Sequence, residues 1–298
     1  MNLKNLHPYA SIGYAQAFEG LAKPVFLPSM GNYALLRSIK NSSYLDAIGC
    51  YPFCIVRPDA VFEDDFRVLR KLGVVSLVQV ADPGFTPAPK CLDSSFDQIR
   101  DFKTLFIHDY SYPFTYTRNH RVNVAKARKD CEVRPVDYKK NIGVWKGLYS
   151  YLVETHSITG LQRFSDTYFE KIAQLDGLHA HAAYRNNEIV SMNLWIEFEG
   201  VVYGHLTASS AIGRKVRGGY ALVDFAIEYF RNRKLLLLGG GSGLVDNEQD
   251  GLAVFKQGFS NRTETSKLCC KVINPEVYHE LSQSSPQNEF FPAYRSGL

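Results

Sequence analysis

Residues 178–208 hold three consecutive runs of strand length, Leu178–Arg185, Glu188–Phe198 and Val201–Ala208. Asn186-Asn187 separates the first two and Glu199-Gly200 the next two. Asn and Gly accept the positive φ that two-residue hairpin links demand, so the three runs predict an antiparallel meander. Helical spacing before it predicts helices at Thr115–Lys129, Tyr138–Thr155 and Asp166–Leu175, with a short strand at Cys131–Val136. After it come a polar loop, a helix at Gly219–Asn232, a strand at Lys234–Leu238, a glycine-rich loop, a short helix at Gly251–Gly258 and a strand at Ser266–Ile273. The order from Cys131 onward is β-α-α-β-β-β-α-β-α-β, an α/β chain on a mixed sheet.

The first half has fewer signals. Tyr14–Phe18, Pro24–Pro28 and Tyr33–Ile39 read as strands, Val61–Leu72 as a helix stopped by Gly73, and Val74–Val80 and Lys103–Tyr110 as strands around a Pro-rich loop. This is a reduced version of the second-half pattern without a clear opening helix pair. The boundary is placed near Pro113, giving lobes at 1–112 and 113–298.

Composition narrows the class. With 298 residues, 45% apolar and 21% charged, the chain is ordinary globular protein. A net charge of +4 suits an anionic substrate but is too mild for a dedicated DNA binder. No apolar run is long enough to span a bilayer and the start lacks a signal-peptide core, which predicts a cytoplasmic protein. The six cysteines include no CxxC pair and read as free thiols. His179-x-His181 shares a strand face but lacks a third ligand, so no metal is expected. Gly239–Gly243 fits no dinucleotide register.

Three segments carry a family resemblance. Thr117–Val133 (TRNHRVNVAKARKDCEV) resembles the arginine-rich helix and strand that open the second lobe of Fem-like transferases. Tyr203–Lys234 resembles the central strand, donor loop and helix of the GNAT superfamily. Leu235–Ser260 resembles the strand, glycine-rich loop and Phe-Lys pair of the Fem-like branch. The resemblance implies two GNAT-like lobes, the first reduced. It also implies direct acyl transfer in a ternary complex, with no permanently bound cofactor and acyl-CoA or aminoacyl-tRNA as co-substrate.

The candidate site follows. Arg214, Lys215, Arg217, Gly218, Gly219 and Tyr220 lie at a helix start, where amides and the helix dipole favour donor phosphates. The same residues also suit a polar turn before an ordinary helix, and Val216 stands where the GNAT motif carries Gln or Arg. Lys256, the lysine of the Phe-Lys pair, is implied to steady negative charge at the transfer point; a solvent-reaching lysine is the plainer reading. Strand alternation sends Tyr203, His205 and Thr207 to one face, and His205, with an ordinary pKa near neutrality, is a candidate general base or a packed histidine. Arg121 is implied to contact a phosphate of a small-molecule or nucleotide-linked acceptor, with Tyr51, Asp109 and Tyr110 along the acceptor cleft.

The leading expectation is an N-acyltransferase acting on an amino sugar or another cell-envelope precursor from acyl-CoA. The alternatives are an aminoacyl-tRNA-dependent transferase of peptidoglycan bridge formation and a non-catalytic binding protein on the same frame.

Overall fold

The computed structural model describes residues 6–82, 92–243, 250–283 and 290–296. The Pro-rich stretch at 83–90, Cys91 and the segment 244–249 after the glycine run lie outside the described residues. In chain order the elements are α1 (Ile12–Gln16), β1 (Lys23–Leu27), β2 (Asn32–Ser38), β3 (Leu45–Gly49), α2 (Phe62–Lys71), β4 (Val74–Ala81), α3 (Leu92–Ser95) and β5 (Gln98–Asp109). There follow α4 (Arg118–Asp130), β6 (Glu132–Pro135), α5 (Tyr138–His156), α6 (Asp166–Ile172), β7 (Leu178–Arg185), β8 (Glu188–Phe198) and β9 (Val201–Ser209). The chain ends with α7 (Ala211–Lys215), α8 (Gly218–Tyr229), β10 (Leu235–Gly239), α9 (Gly251–Gln257), β11 (Arg262–Val272) and α10 (Pro275–Ser282).

Two compact units divide it: Met1–Phe102 with Thr265–Leu298, and Lys103–Glu264. The division differs from the lobes expected at 1–112 and 113–298. The last strand, assigned from sequence to the second lobe, pairs antiparallel with β4 from Lys267↔Ala81 to Val272↔Ser76 and so belongs to the first unit. Periodicity marks a strand without naming its partner, which is why the sequence misplaced it.

In the first unit β1, β2 and β3 pair antiparallel in turn, and β3 runs parallel to β4 through the crossover helix α2. Phe62, Phe66 and Leu69 of α2 bury one face against Leu36, Ala47 and Leu77. The strand expected at Tyr14–Phe18 is instead the helix α1. Ser11 caps it by accepting from the Tyr14 amide at 3.1 Å, and the buried Tyr14 and Phe18 are four residues apart, a helical interval.

The second unit follows the expected pattern closely. Thr117, Asp137, Ser165, Ser210 and Asp250 each cap the following helix with a side-chain oxygen. The meander β7–β8–β9 turns through Asn186 and Asn187 at φ 51° and 64°, and through Glu199 and Gly200 at φ 49° and 84°. Helices α5 and α8 both pack on the meander, and β6 closes its outer edge beside β7. Trp145 of α5, Tyr168 and Phe169 of α6 form an aromatic core with Tyr149.

Strands β9 and β10 then part. They pair in parallel only from Val201↔Leu235 to Tyr203↔Leu237, while β9 continues to Ser209 beside β8. Each strand carries a bulge where they separate. On β9 the register to β8 passes from Gly204↔Trp195 to Leu206↔Leu194, which leaves His205 as the extra residue. On β10 the register to β5 skips Leu238, and Gly239 turns away at φ 80°. Gly204 is required there, because a Cβ would meet the Leu237 carbonyl oxygen at 2.9 Å.

The bulge also revises the placement of His205. Strict alternation put it with Tyr203 and Thr207, yet Thr207 is exposed while Tyr203 and His205 are buried. The ring of His205 shares a 2.8 Å hydrogen bond with the Tyr168 hydroxyl, and burial lowers its pKa from 6.5 to about 3. A base near neutrality is therefore not what this side chain provides; it is a neutral core histidine. His181 is likewise held neutral by burial, at about 3. Both must gain a proton on unfolding below pH 6.5, so stability is full above that value and falls as pH drops toward 3. Denaturant melts between pH 7 and 4.5 should show each ring contributing a slope that steepens below pH 6.5 toward about 1.4 kcal/mol per pH unit. His205→Asn should remove one such share, and a mutant with the wild-type slope would contradict the neutral buried ring.

Candidate functional site

The site is built where β9 and β10 separate. Beyond Gly239 the chain enters the glycine-rich loop, and α9 follows at Gly251. Lys256 of α9 points its ammonium back at this loop, donating to the Gly240 carbonyl at 2.6 Å. The residue keeps some exposure along its stem, but the ammonium is at the buried end. Burial lowers its pKa from 10.5 to about 8, with Asp250 opposing the shift and the nearby cation Lys103 adding to it. A lysine in this state is a cation near neutrality with a neutral fraction that grows through pH 8.

Asp250 braces the arrangement. Its carboxylate accepts from the Ser242 amide at 2.6 Å and hydroxyl at 2.8 Å, and from the Leu252 and Ala253 amides of α9. Lys103 of β5 donates to the Ser242 carbonyl at 3.0 Å. Neither residue was anticipated. Asp250 carried a usable signal, an Asp immediately before a predicted helix, whereas a single lysine in a strand carries none.

The donor-loop residues take up varied positions. Residues Ala211–Lys215 form the extra short helix α7, and Arg217 adopts φ 60° as the N-cap of α8 without a side-chain cap. Gly218 does not open toward a ligand. A Cβ on it would meet the Ser191 hydroxyl oxygen at 2.2 Å, so it seats α8 on β8, while Gly219 has only the Phe255 ring edge at 3.8 Å. Arg217 donates to the Asn123 side chain at 2.9 Å, and Arg214 lies over the Tyr151 ring and hydrogen-bonds its hydroxyl. Lys215 is exposed. Tyr220 packs its ring on Phe255 at 4.8 Å, which joins the start of α8 to the helix bearing Lys256. Val216 is buried and its carbonyl faces the Cys131 thiol.

The acceptor residues divide. Arg121 is exposed on α4, in company with Arg118, Lys126 and Lys129. Arg128 of the same helix is committed elsewhere, gripping Asp224 of α8 through two bonds of 2.7 and 2.9 Å, with Tyr116 donating to the same carboxylate at 2.8 Å. Asp109 is buried in an ion pair with Arg262 at 3.0 Å and accepts from the Ser111 amide. Tyr110 donates to the Ile227 carbonyl at 3.0 Å. Both act here as braces of the second unit, an arrangement that leaves their polar atoms engaged by protein. Tyr51 belongs to the first unit, where its carbonyl accepts from the Tyr14 hydroxyl and burial raises its phenol to about 12. His179 pairs with Glu197 at 3.0 Å and His181 is enclosed by Phe225, Tyr229 and Phe230.

No family model and no curated protein matches the sequence. Solved structures do resemble it. FemX superposes with a TM-score of 0.66 at 12% identity, covering 93% of this chain and 95% of its own. The carboxy-terminal DUF2156 domain of an Agrobacterium fabrum protein gives 0.60 at 15% identity, over 89% and 88% of the two chains. L-PGS from Bacillus licheniformis gives 0.57 at 12% identity, over 90% and 93%. Among the described residues no helix is long and apolar enough to cross a membrane. The chain has a GNAT-like fold of the Fem-like kind.

Proposed function

We propose that this protein is an acyltransferase that moves an acyl group to an amine by direct attack within a ternary complex. The observation that carries the reading is the parting of β9 and β10 with the Lys256 ammonium beside it. In this reading the amine nitrogen attacks the acyl carbonyl, forming the C–N bond. The C–S or C–O bond to the donor then breaks, and the departing sulfur or oxygen takes a proton. The negative charge that grows on the carbonyl oxygen needs fixed positive partners in a water-poor place. Lys256 supplies one, and backbone amides of β9 beyond Tyr203, which have no β10 partner in the ladder, supply others.

The anionic part of the donor is assigned to the start of α8. Arg217, Gly219 and the first-turn amides there offer charge and helix dipole to a phosphate. Lys215 and Arg214 lie just before α8, in the last turn of α7. We take acyl-CoA as the donor and an amino sugar or related cell-envelope precursor as the acceptor, with Arg121 as its anion contact. A second reading, aminoacyl-tRNA as donor, is favoured by the exposed cations Arg118, Arg121, Lys126 and Lys129 along α4 and by the buried Val216 in the phosphate motif.

Thermal melts separate the donors, since a ligand that binds only the folded state stabilises it by about 2.7 kcal/mol at a hundredfold excess over Kd. Acetyl-CoA or a longer acyl-CoA should raise Tm and uncharged amines alone should not; a shift produced only by charged tRNA would select the second reading. Arg217→Glu should weaken the effective donor at least tenfold without lowering the Tm of the unliganded protein by more than a few degrees. An unchanged affinity would remove this turn from the site.

Lys256→Met should reduce kcat by about a hundredfold or more, the loss typical of removing one charge-stabilising donor. Because the ammonium is the working form, wild-type turnover should decline as pH rises through about 8, and that decline should be missing from the residual rate of the variant. Wild-type turnover by Lys256→Met would remove Lys256 from the transfer site, whereas absence of any donor-dependent shift or turnover in the wild type would end the transfer reading.

A further inference from the structure

We propose that Lys103 is the positioning residue for Lys256: from β5 it holds the glycine-rich loop that aims the Lys256 ammonium, and it sets a second positive charge beside that group. The proposal deepens the transfer reading and depends on it for its catalytic meaning.

Three observations support it. Lys103 is only 7% exposed, although lysines are seldom buried without a specific reason. Its ammonium donates to the Ser242 carbonyl at 3.0 Å, two residues along from the Gly240 carbonyl that Lys256 takes at 2.6 Å. The loop also lies directly on β5: a Cβ at Gly240 would meet the Thr104 carbonyl oxygen at 3.2 Å and the Lys103 Cβ at 3.4 Å. Two lysines from separate elements thus converge on one short loop and hold its carbonyls.

Among the described residues, few charged or titratable groups surround Lys256. Lys103 comes from β5 and Asp250 from the start of α9; on the flank of α9, His120 of α4 bonds the Phe255 carbonyl at 3.0 Å and Tyr220 of α8 packs on the Phe255 ring. Asp250 favours the Lys256 cation, and its carboxylate is shared among Ser242, Leu252 and Ala253. Lys103 disfavours that cation, in the same direction as burial, which is the larger influence. Lys103 therefore limits how firmly Lys256 holds its proton while fixing where its ammonium points.

The test reads Lys256 directly and needs no substrate. Competitive labelling of amines with acetic anhydride across pH 6–11, followed by mass spectrometry of the Lys256 peptide, gives the titration of that one side chain. In wild type the inflection should lie near 8. Lys103→Gln keeps an N–H donor for the Ser242 carbonyl and removes the charge, so the inflection should move upward, part of the way to the ordinary 10.5, because burial persists. Labelling of Lys256 at pH 7 should fall several-fold. Lys103→Arg, which retains the charge, should return the wild-type inflection. An unmoved inflection in Lys103→Gln overturns the proposal. Lys103→Met should shift it at least as far; should that variant not fold, the Gln and Arg pair decides the matter alone. A shifted titration in a protein that shows neither donor binding nor turnover would refute the transfer reading and not this coupling, whereas an unmoved titration would refute the coupling and leave the transfer reading standing.

Discussion

Two bulges on neighbouring parallel strands set the shape of the second unit around Lys256. Parallel strands normally continue pairing until one of them ends, because every unpaired backbone group in a sheet interior is costly. Here β9 gains an extra residue at His205 and β10 gains one at Leu238, so both ladders lose register at the same level. With Gly239 turning out at φ 80°, the strands cannot rejoin. Past this level the Gly240 carbonyl of the loop following β10 accepts from Lys256.

The elements flanking the opening are held by close packing. Gly213 and Gly218 let α7 and α8 approach the Val190 carbonyl and the Ser191 side chain more closely than any residue with a Cβ permits. Arg128, Asp224 and Tyr116 pin α4 to α8, and the His120, Tyr220, Phe255 and Phe259 rings join both helices to α9. A site assembled from the starts and ends of several elements needs this kind of support, since misplacement by about 1 Å is enough to disable positioned chemistry.

Charge placement follows from the same geometry. Burial lowers Lys256 to about 8, while His205, enclosed in the core with its ring against the Tyr168 hydroxyl, is driven to about 3. Both residues were candidate catalytic groups by type and position, Lys256 the stronger of the two. Their surroundings separate them: one meets the Gly240 carbonyl near the Asp250 carboxylate, the other a tyrosine hydroxyl in the core.

The elements of the second unit are legible from residue order alone, because their signals are local. The Asn186-Asn187 and Glu199-Gly200 turns require positive φ, the capping residues Thr117, Asp137, Ser165 and Asp250 stand next to the helices they cap, and the apolar spacing of α5 and α8 is visible within one window. The Phe-Lys pair likewise pointed to Lys256. The partner of β11, the bulge at His205, the engagement of Asp109 with Arg262 and of Tyr110 with Ile227, and the meeting of Lys103 with the Lys256 loop emerge only from long-range packing. Each of these joins residues distant in sequence. Strand partners, burial and the pKa of a side chain depend on what packs against it, and no short-range pattern encodes that.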